Sequence, residues 1–247
     1  MDIIFIINYF KRYIETFSNE DFENIYFLKY NELLILLQND KDNYYKKFYN
    51  NDFISRNIES IDDYLKILPL SVSEFNNNEK IKLIKCINEC NKILENINFE
   101  WFNGKKASLI KWNIGCIEGK LYENGLPHTR KNVIIISKKD VNNSSVIMLK
   151  KTLIHEMVHI YQKRYGEDIK KYINNYFLKI RERDENDNIR ANPDIDNWIY
   201  SDFDNNIYKA VYKENPKTVE DVEYKYMGNQ IGEHPFEKMA IEIEKYV

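Results

Sequence analysis

The sequence predicts an α+β protein: a mainly helical N-terminal region over residues 1–98, then a domain over 99–247 in which a small mixed sheet lies beside one long helix. Three observations carry this prediction. Apolar residues recur at helical spacing through 31–38 and 80–94, the run Val133-Ile134-Ile135-Ile136 has the β-branched density of a buried strand, and 146–165 reads as a long helix directly after it.

Taken in order, the opening Ile3-Ile4-Phe5-Ile6-Ile7 is apolar but short, has no basic residue before it and runs into Asn8 and Lys11. It therefore reads as a buried first helix rather than a signal peptide or a membrane span. Breaks in the helical pattern fall near Asn50 and at Leu68-Pro69-Leu70. Strands are expected over 107–117 and 132–137, separated by a turn-rich stretch around Asn124-Gly125. For the long helix, Asn142, Asn143 and Ser144 offer N-caps, Leu153, Ile154, Val158, Ile160 and Ile147 supply an apolar surface, and Gly166 suits the position just past its end. Beyond it, 169–183 reads as another helix and 181–197, which contains Asn192-Pro193-Asp194, as a charged surface loop. Segments 198–203 and 207–212 then flank Asp204-Asn205-Asn206 as a hairpin. Residues of about 167–230 thus form an insertion before the final helix, either overhanging a cleft as a lid or specificity element, or packing without substrate contact. Pro235 suits the first turn of that final helix.

A chain of 247 residues can bury a substantial core, and its 36 basic against 39 acidic side chains argue against both a wholly disordered chain and an obligate polyanion binder. Nothing in the charge pattern points to nucleic acid or a membrane. Three cysteines, an odd number without a secretion signal, favour a reducing compartment and hence an intracellular, cytoplasmic location. Cys86 and Cys90 lie four apart on an expected helix and read as small core residues rather than metal ligands.

The chemistry concentrates in His155-Glu156-Met157-Val158-His159. On a helix, two histidines four apart share a face and can reach one metal ion, and Glu156 between them can serve the water that ion holds. Neutral imidazole suits zinc, and a catalytic zinc takes three protein ligands and a water whose pKa falls to about 7. Glu156 would act as the general base. The helix supplies only two ligands. Gln162 and Tyr165 stand three and six residues after His159, where a metzincin needs glycine and histidine, so that class is excluded. The candidates for a third ligand lie in Gly232-Glu233-His234-Pro235-Phe236-Glu237-Lys238-Met239-Ala240.

With these two motifs the chain resembles the zincin metallopeptidases of the gluzincin type, in which a glutamate on a later helix, often followed three residues on by a small residue, is the third ligand. The resemblance implies that Glu237, followed by Ala240, joins His155 and His159 on Zn2+. His234 is the rival, and would fit the three-histidine zincins, including the SprT-like proteases associated with nucleic-acid metabolism. The interval between the histidine helix and Glu237 is longer than in compact gluzincins, and the resemblance covers well under half the chain. It further implies a zincin-like fold, a peptide or protein substrate, and an edge strand within 107–137 that receives the substrate as an added antiparallel strand. His128 ends the turn before that edge and is either a substrate-side or supporting group or an exposed turn histidine. The expected function is zinc-dependent peptide hydrolysis. The alternative is an inactive zincin scaffold that binds a protein partner, against which the presence of Glu156 argues, since a structural site needs no base.

Overall fold

The computed structural model describes residues 24–224 and 232–247, so the expected first helix around residues 3–7 lies outside the described residues. Strand β1 (Ile25–Phe27) leads into helices α1 (Tyr30–Asn39), α2 (Asn50–Ser55) and α3 (Ile61–Ser71), then strand β2 (Val72–Ser73) and helix α4 (Asn77–Glu95). A small hairpin, β3 (Asn98–Phe99) and β4 (Phe102–Asn103), and a short helix α5 (Gly104–Ser108) precede the strands β5 (Trp112–Ile117), β6 (His128–Arg130) and β7 (Val133–Ser137). Helices α6 (Lys138–Asn143), α7 (Val146–Arg164) and α8 (Gly166–Tyr176) follow. The insertion contributes β8 (Leu178–Glu182), β9 (Trp198–Ser201), β10 (Ile207–Tyr208), β11 (Ala210–Tyr212) and β12 (Val222–Tyr224), and helix α9 (Pro235–Glu244) closes the chain.

The main sheet runs β1-β5-β7-β6, with β1, β5 and β7 parallel and β6 antiparallel at the edge. Strand β2 pairs with Cys116 and Ile117 of β5, on the edge that β1 occupies farther along. Residues 24–98 are mainly helical, yet two of their strands complete the sheet of the region that follows. Side chains alternate across the sheet with the period of two that a strand imposes. Ile114, Cys116, Ile134 and Ile136 join the core built with α4, α7 and α9, whereas Ile117, Val133 and Ile135 join the core built with α1 and α3. Three layers result, and burial on both faces explains the unbroken apolar run of β7. At Gly115 a Cβ would stand 2.8 Å from Leu33 Cδ1, so the absence of a side chain is what lets α1 lie against β5.

Helix α4 starts with a reciprocal cap: Asn76 Oδ1 accepts from the Glu79 N–H at 3.0 Å, and Glu79 Oε2 accepts from the Asn76 N–H at 2.8 Å. Its Cys86 and Cys90 are free thiols buried in the core, and burial raises both thiol pKa values. Helix α7 is capped by Ser145, whose Oγ accepts from the Met148 N–H at 3.2 Å, rather than by the three residues before it. Gly166 does not end a Gly-capped helix, because Tyr165 is the junction and Gly166 already belongs to α8.

Several segments differ from the sequence expectation. The expected strand over 107–117 begins only at Trp112, since Asn103 Oδ1 accepts from the Lys106 N–H and starts helix α5 there. Helix α3 continues through Pro69 to Ser71, so the proline sits in its last turn. The expected helix over 169–183 stops at Tyr176. Phe177 turns extended and buries its ring against Tyr172 and Tyr208, and 178–182 pair with β9, so cross-strand pairing overrides the helix-favouring Lys, Arg and Glu. The stretch 181–197 is not a surface loop throughout: Arg183, Ala191 and Asp194 are buried.

A buried ionic network fixes that last segment to the N-terminal helices. Arg56 Nη2 and Nε donate to the Glu123 carboxylate at 2.7 and 3.0 Å, and Nη2 also donates to Tyr44 Oη at 2.6 Å. Asp52 Oδ1 accepts from the Ala191 N–H at 2.8 Å and from Tyr212 Oη at 2.9 Å. Burial opposes charge on Glu123, but the Arg56 guanidinium outweighs it and holds the carboxyl at about 2. Removing the cation would leave the buried Glu123 carboxylate without its ion-pair partner and leave Asp52 only Arg183, 3.7 Å away. Arg56→Ala is therefore expected to destabilise the chain by about 3–5 kcal/mol, measured as a lower urea midpoint at unchanged slope; a loss under about 1 kcal/mol would mean the network is not what holds these elements together.

Candidate metal centre

Helix α7 is buried on nearly every side from Glu156 to Gln162, covering Met157, Val158, Ile160 and Tyr161 together with the polar Glu156, His159 and Gln162. The four-residue spacing stacks His155 and His159 on one face with ring centroids 4.8 Å apart. Helix α9 crosses this face. His234 caps it by accepting from the Phe236 N–H, Pro235 occupies its first position, and the same first turn points Glu237 at the histidines. Glu237 Oε2 lies 3.1 Å from His155 Nε2 and 3.5 Å from His159 Nε2. Ligand atoms of all three residues lie within 4.8 Å of one another. Tetrahedral zinc bonds of about 2.0–2.2 Å put neighbouring ligand atoms about 3.3 Å apart, close to the two histidine–carboxylate separations.

The atoms turned away from this point are held as well. His155 Nδ1 donates to Glu244 Oε2 at 2.9 Å, two helical turns beyond Glu237 on α9. His159 Nδ1 donates to Gln162 Oε1 at 3.0 Å, and Gln162 Nε2 donates onward to the Phe236 carbonyl at 2.8 Å, so one amide ties the histidine helix to the backbone beside Glu237. Asn192 Nδ2 donates to the second Glu237 oxygen, Oε1, at 2.7 Å. Such contacts set which imidazole nitrogen presents a lone pair, and for His159 that nitrogen is Nε2.

Among the described residues, three buried side-chain atoms have no hydrogen-bond partner: Glu156 Oε2, His159 Nε2 and Arg183 Nε. Two of the three belong to this site, where an unmet buried group costs about 1–3 kcal/mol, so the donor set and its unpaired atoms fit a divalent cation and its water. Protonation points the same way. Burial opposes charge on His155, but the Glu237 and Glu244 carboxylates bonded to its two nitrogens outweigh it and raise its pKa well above the ordinary value. Burial likewise opposes charge on His159, and the Glu237 carboxylate raises it. Burial, reinforced by the Asp194 carboxylate, pushes Glu156 up to about 8. Burial alone would raise Glu237, but the two histidines hold it well below the carboxylate range. The Glu237 and Glu244 carboxylates thus favour positive charge at the point where the two imidazoles meet.

His234 lies elsewhere. Its Nε2 faces the Trp198 carbonyl at 3.3 Å and Asp196 Oδ1 at 3.4 Å, and its ring packs edge-on against Tyr200 and Phe236. His128 is buried rather than an exposed turn residue: Nδ1 must donate to the Leu126 carbonyl at 2.9 Å, which leaves Nε2 to accept from Tyr122 Oη at 3.0 Å. Burial lowers its pKa, consistent with that neutral tautomer. Both of its nitrogens are committed, although its side chain lines a cavity of about 290 Å3 shared with His155, Glu156, Asp194, Glu233 and Glu237. Glu244 was findable in the sequence as the residue seven beyond Glu237 on one helix face. Asn192 and Asp194 carried no such signal, because their partners are far away in the chain. The chain matches no family model, no curated protein and no solved structure.

These shifts give a pH dependence with a definite sign. His155, His159 and Glu156 titrate higher in the folded chain than at their ordinary values of 6.5, 6.5 and 4.5, so between those values and the raised ones the folded state binds more protons. Their contribution declines as pH rises, whereas that of Glu237 is present above 4.5 and fades only as pH falls below it. In chelator, the unfolding midpoint is expected to fall from about pH 6 to about pH 8.5 more steeply than in Glu156→Gln. Parallel profiles for the two proteins would contradict the raised Glu156.

Proposed function

We propose that the chain is a zinc-dependent peptidase with a zincin-like catalytic core, His155, His159 and Glu237 holding the ion and Glu156 serving as general base. One observation carries this reading: a carboxylate from α9 converges on both ring nitrogens of the histidine pair, while the glutamate between the histidines keeps a buried oxygen without a partner. The antiparallel β6 edge beside α7 supports a zincin-like arrangement. When bound, zinc supplies Lewis-acid polarisation of a carbonyl and acidification of a water.

The chain's own groups do the rest. Glu244 and Gln162 hold the imidazoles in register, and Asn192 orients Glu237. Glu156, whose affinity for a proton is lifted by burial, accepts the proton of the attacking water through its free oxygen and then returns it to the leaving amine. The engagement of His234 with Trp198 and Asp196 favours a carboxylate third ligand over a three-histidine site.

The purified chain is expected to hold about one zinc, and Glu156→Gln to keep it while losing about 10²–10⁴-fold in peptide turnover. Loss of zinc together with turnover in that variant would make Glu156 structural. In competitive zinc titration Glu237→Ala should weaken binding far more than His234→Ala, because only the former removes a bond to the metal. The reverse ranking would move the assignment to three histidines.

A further inference from the structure

The edge strand beside the metal centre is closed. In the antiparallel pair β6–β7, Thr129 stands opposite Ile134 between His128 and Arg130, so its N–H and C=O point away from β7 towards the open side of the sheet. Both groups are taken. The Thr129 N–H donates to Asp194 Oδ1 at 2.8 Å, and its carbonyl accepts from Lys163 Nζ at 3.1 Å. Thr129 Oγ1 bonds the same two side chains. The neighbouring outward positions offer little to another strand: Pro127 has no N–H, and Lys131 sits in the left-handed region at φ 55° as the turn begins.

What covers the edge is fixed rather than loosely draped. Asp194 N–H donates to Asn192 Oδ1 at 2.9 Å, Asn192 bonds Glu237, and the Pro193 carbonyl accepts from Lys163 at 3.1 Å. One residue earlier, Ala191 is tied through its N–H to buried Asp52. The segment Ala191-Asn192-Pro193-Asp194 is a wall of the cavity, anchored at both ends to groups that are themselves buried. The cavity it bounds, about 290 Å3, is at the lower limit of the roughly 300–1,000 Å3 typical of small-ligand pockets.

We infer that this site takes short peptides into the walled cavity and does not recognise extended polypeptide by strand addition to β6. The inference rests on the peptidase reading for its substrate, and replaces the edge-strand binding that the zincin resemblance implies. Asp194 is then a specificity-determining residue: its carboxylate occupies the main-chain donor that a substrate strand would need, and Lys163 occupies the acceptor.

Two measurements test this on the full chain. Hydrogen exchange at the Thr129 amide, readable with or without metal, should be slow in the native chain, about tenfold or more faster in Asp194→Ala, and largely restored in Asp194→Asn, which keeps an acceptor oxygen. In zinc-loaded Glu156→Gln, a library of peptides of about three to five residues should bind about tenfold or more tightly than the same sequences embedded in end-blocked unfolded polypeptides of about twenty. Embedded sequences that bind as well as the short ones, short peptides that fail to bind although zinc is stoichiometric, or a freely exchanging Thr129 amide in the native chain would each overturn the inference. Failure to hold zinc would instead count against the peptidase reading, and the exchange measurement would still decide whether the edge is closed.

Discussion

Three ionisable side chains gathered on the covered side of one helix govern the organisation around it. Helix α7 runs through the interior, where an isolated charge or an unmet polar atom is strongly unfavourable, and yet it buries Glu156 and His159 and half-buries His155 beside them. Glu237 and Glu244 from α9 bond His155, Gln162 from one turn farther along α7 bonds His159, and Asn192 from the insertion holds Glu237, while Glu156 Oε2 and His159 Nε2 keep no hydrogen-bond partner. The position of the final helix, the path of the segment before Asp194 and the orientation of both imidazoles are therefore consequences of the same electrostatic requirement. A cation between the rings, as proposed, would meet what these partners leave unmet.

The same logic links the N-terminal helices to the site. Arg56 and Asp52 lie far from the histidines, but their network holds Ala191, and through it the residues that bond Glu237 and cover β6. The helical region is thus part of the cavity's scaffold as well as a covering layer on the sheet, consistent with β1 and β2 joining β5 from that side.

What could be read in the sequence was what depends on near neighbours. The helical spacing of His155 and His159, the β-branched run of β7 and the Pro235 start of α9 each depend on residues a few places apart, and each is present in the fold; the hairpin at Trp198 is present only in part, because Ile207–Tyr208 return along β9 while Ala210–Tyr212 pair with β12 instead. Elements set by distant partners were not legible. Residues 178–182 favour a helix locally but pair with β9, and Val72-Ser73 finds its strand partner more than forty residues later in β5. Asn192-Pro193-Asp194 has the composition of an exposed turn, and only its contacts with Glu237, Thr129 and Lys163 make it part of the site. For the third ligand, local sequence left Glu237 and His234 open. The turn of α9 that points one at the histidines also directs the other towards Trp198.

The central claim is that the paired histidines and Glu237 form one metal site, and an anomalous difference map at the zinc edge from crystals of the zinc-loaded chain tests it most directly. The account predicts a single strong peak about 2.0–2.2 Å from His155 Nε2, His159 Nε2 and a Glu237 oxygen, with Glu156 beside it but not bonded to it. A peak that excludes the histidine pair, or one in which His234 has replaced Glu237, would contradict it.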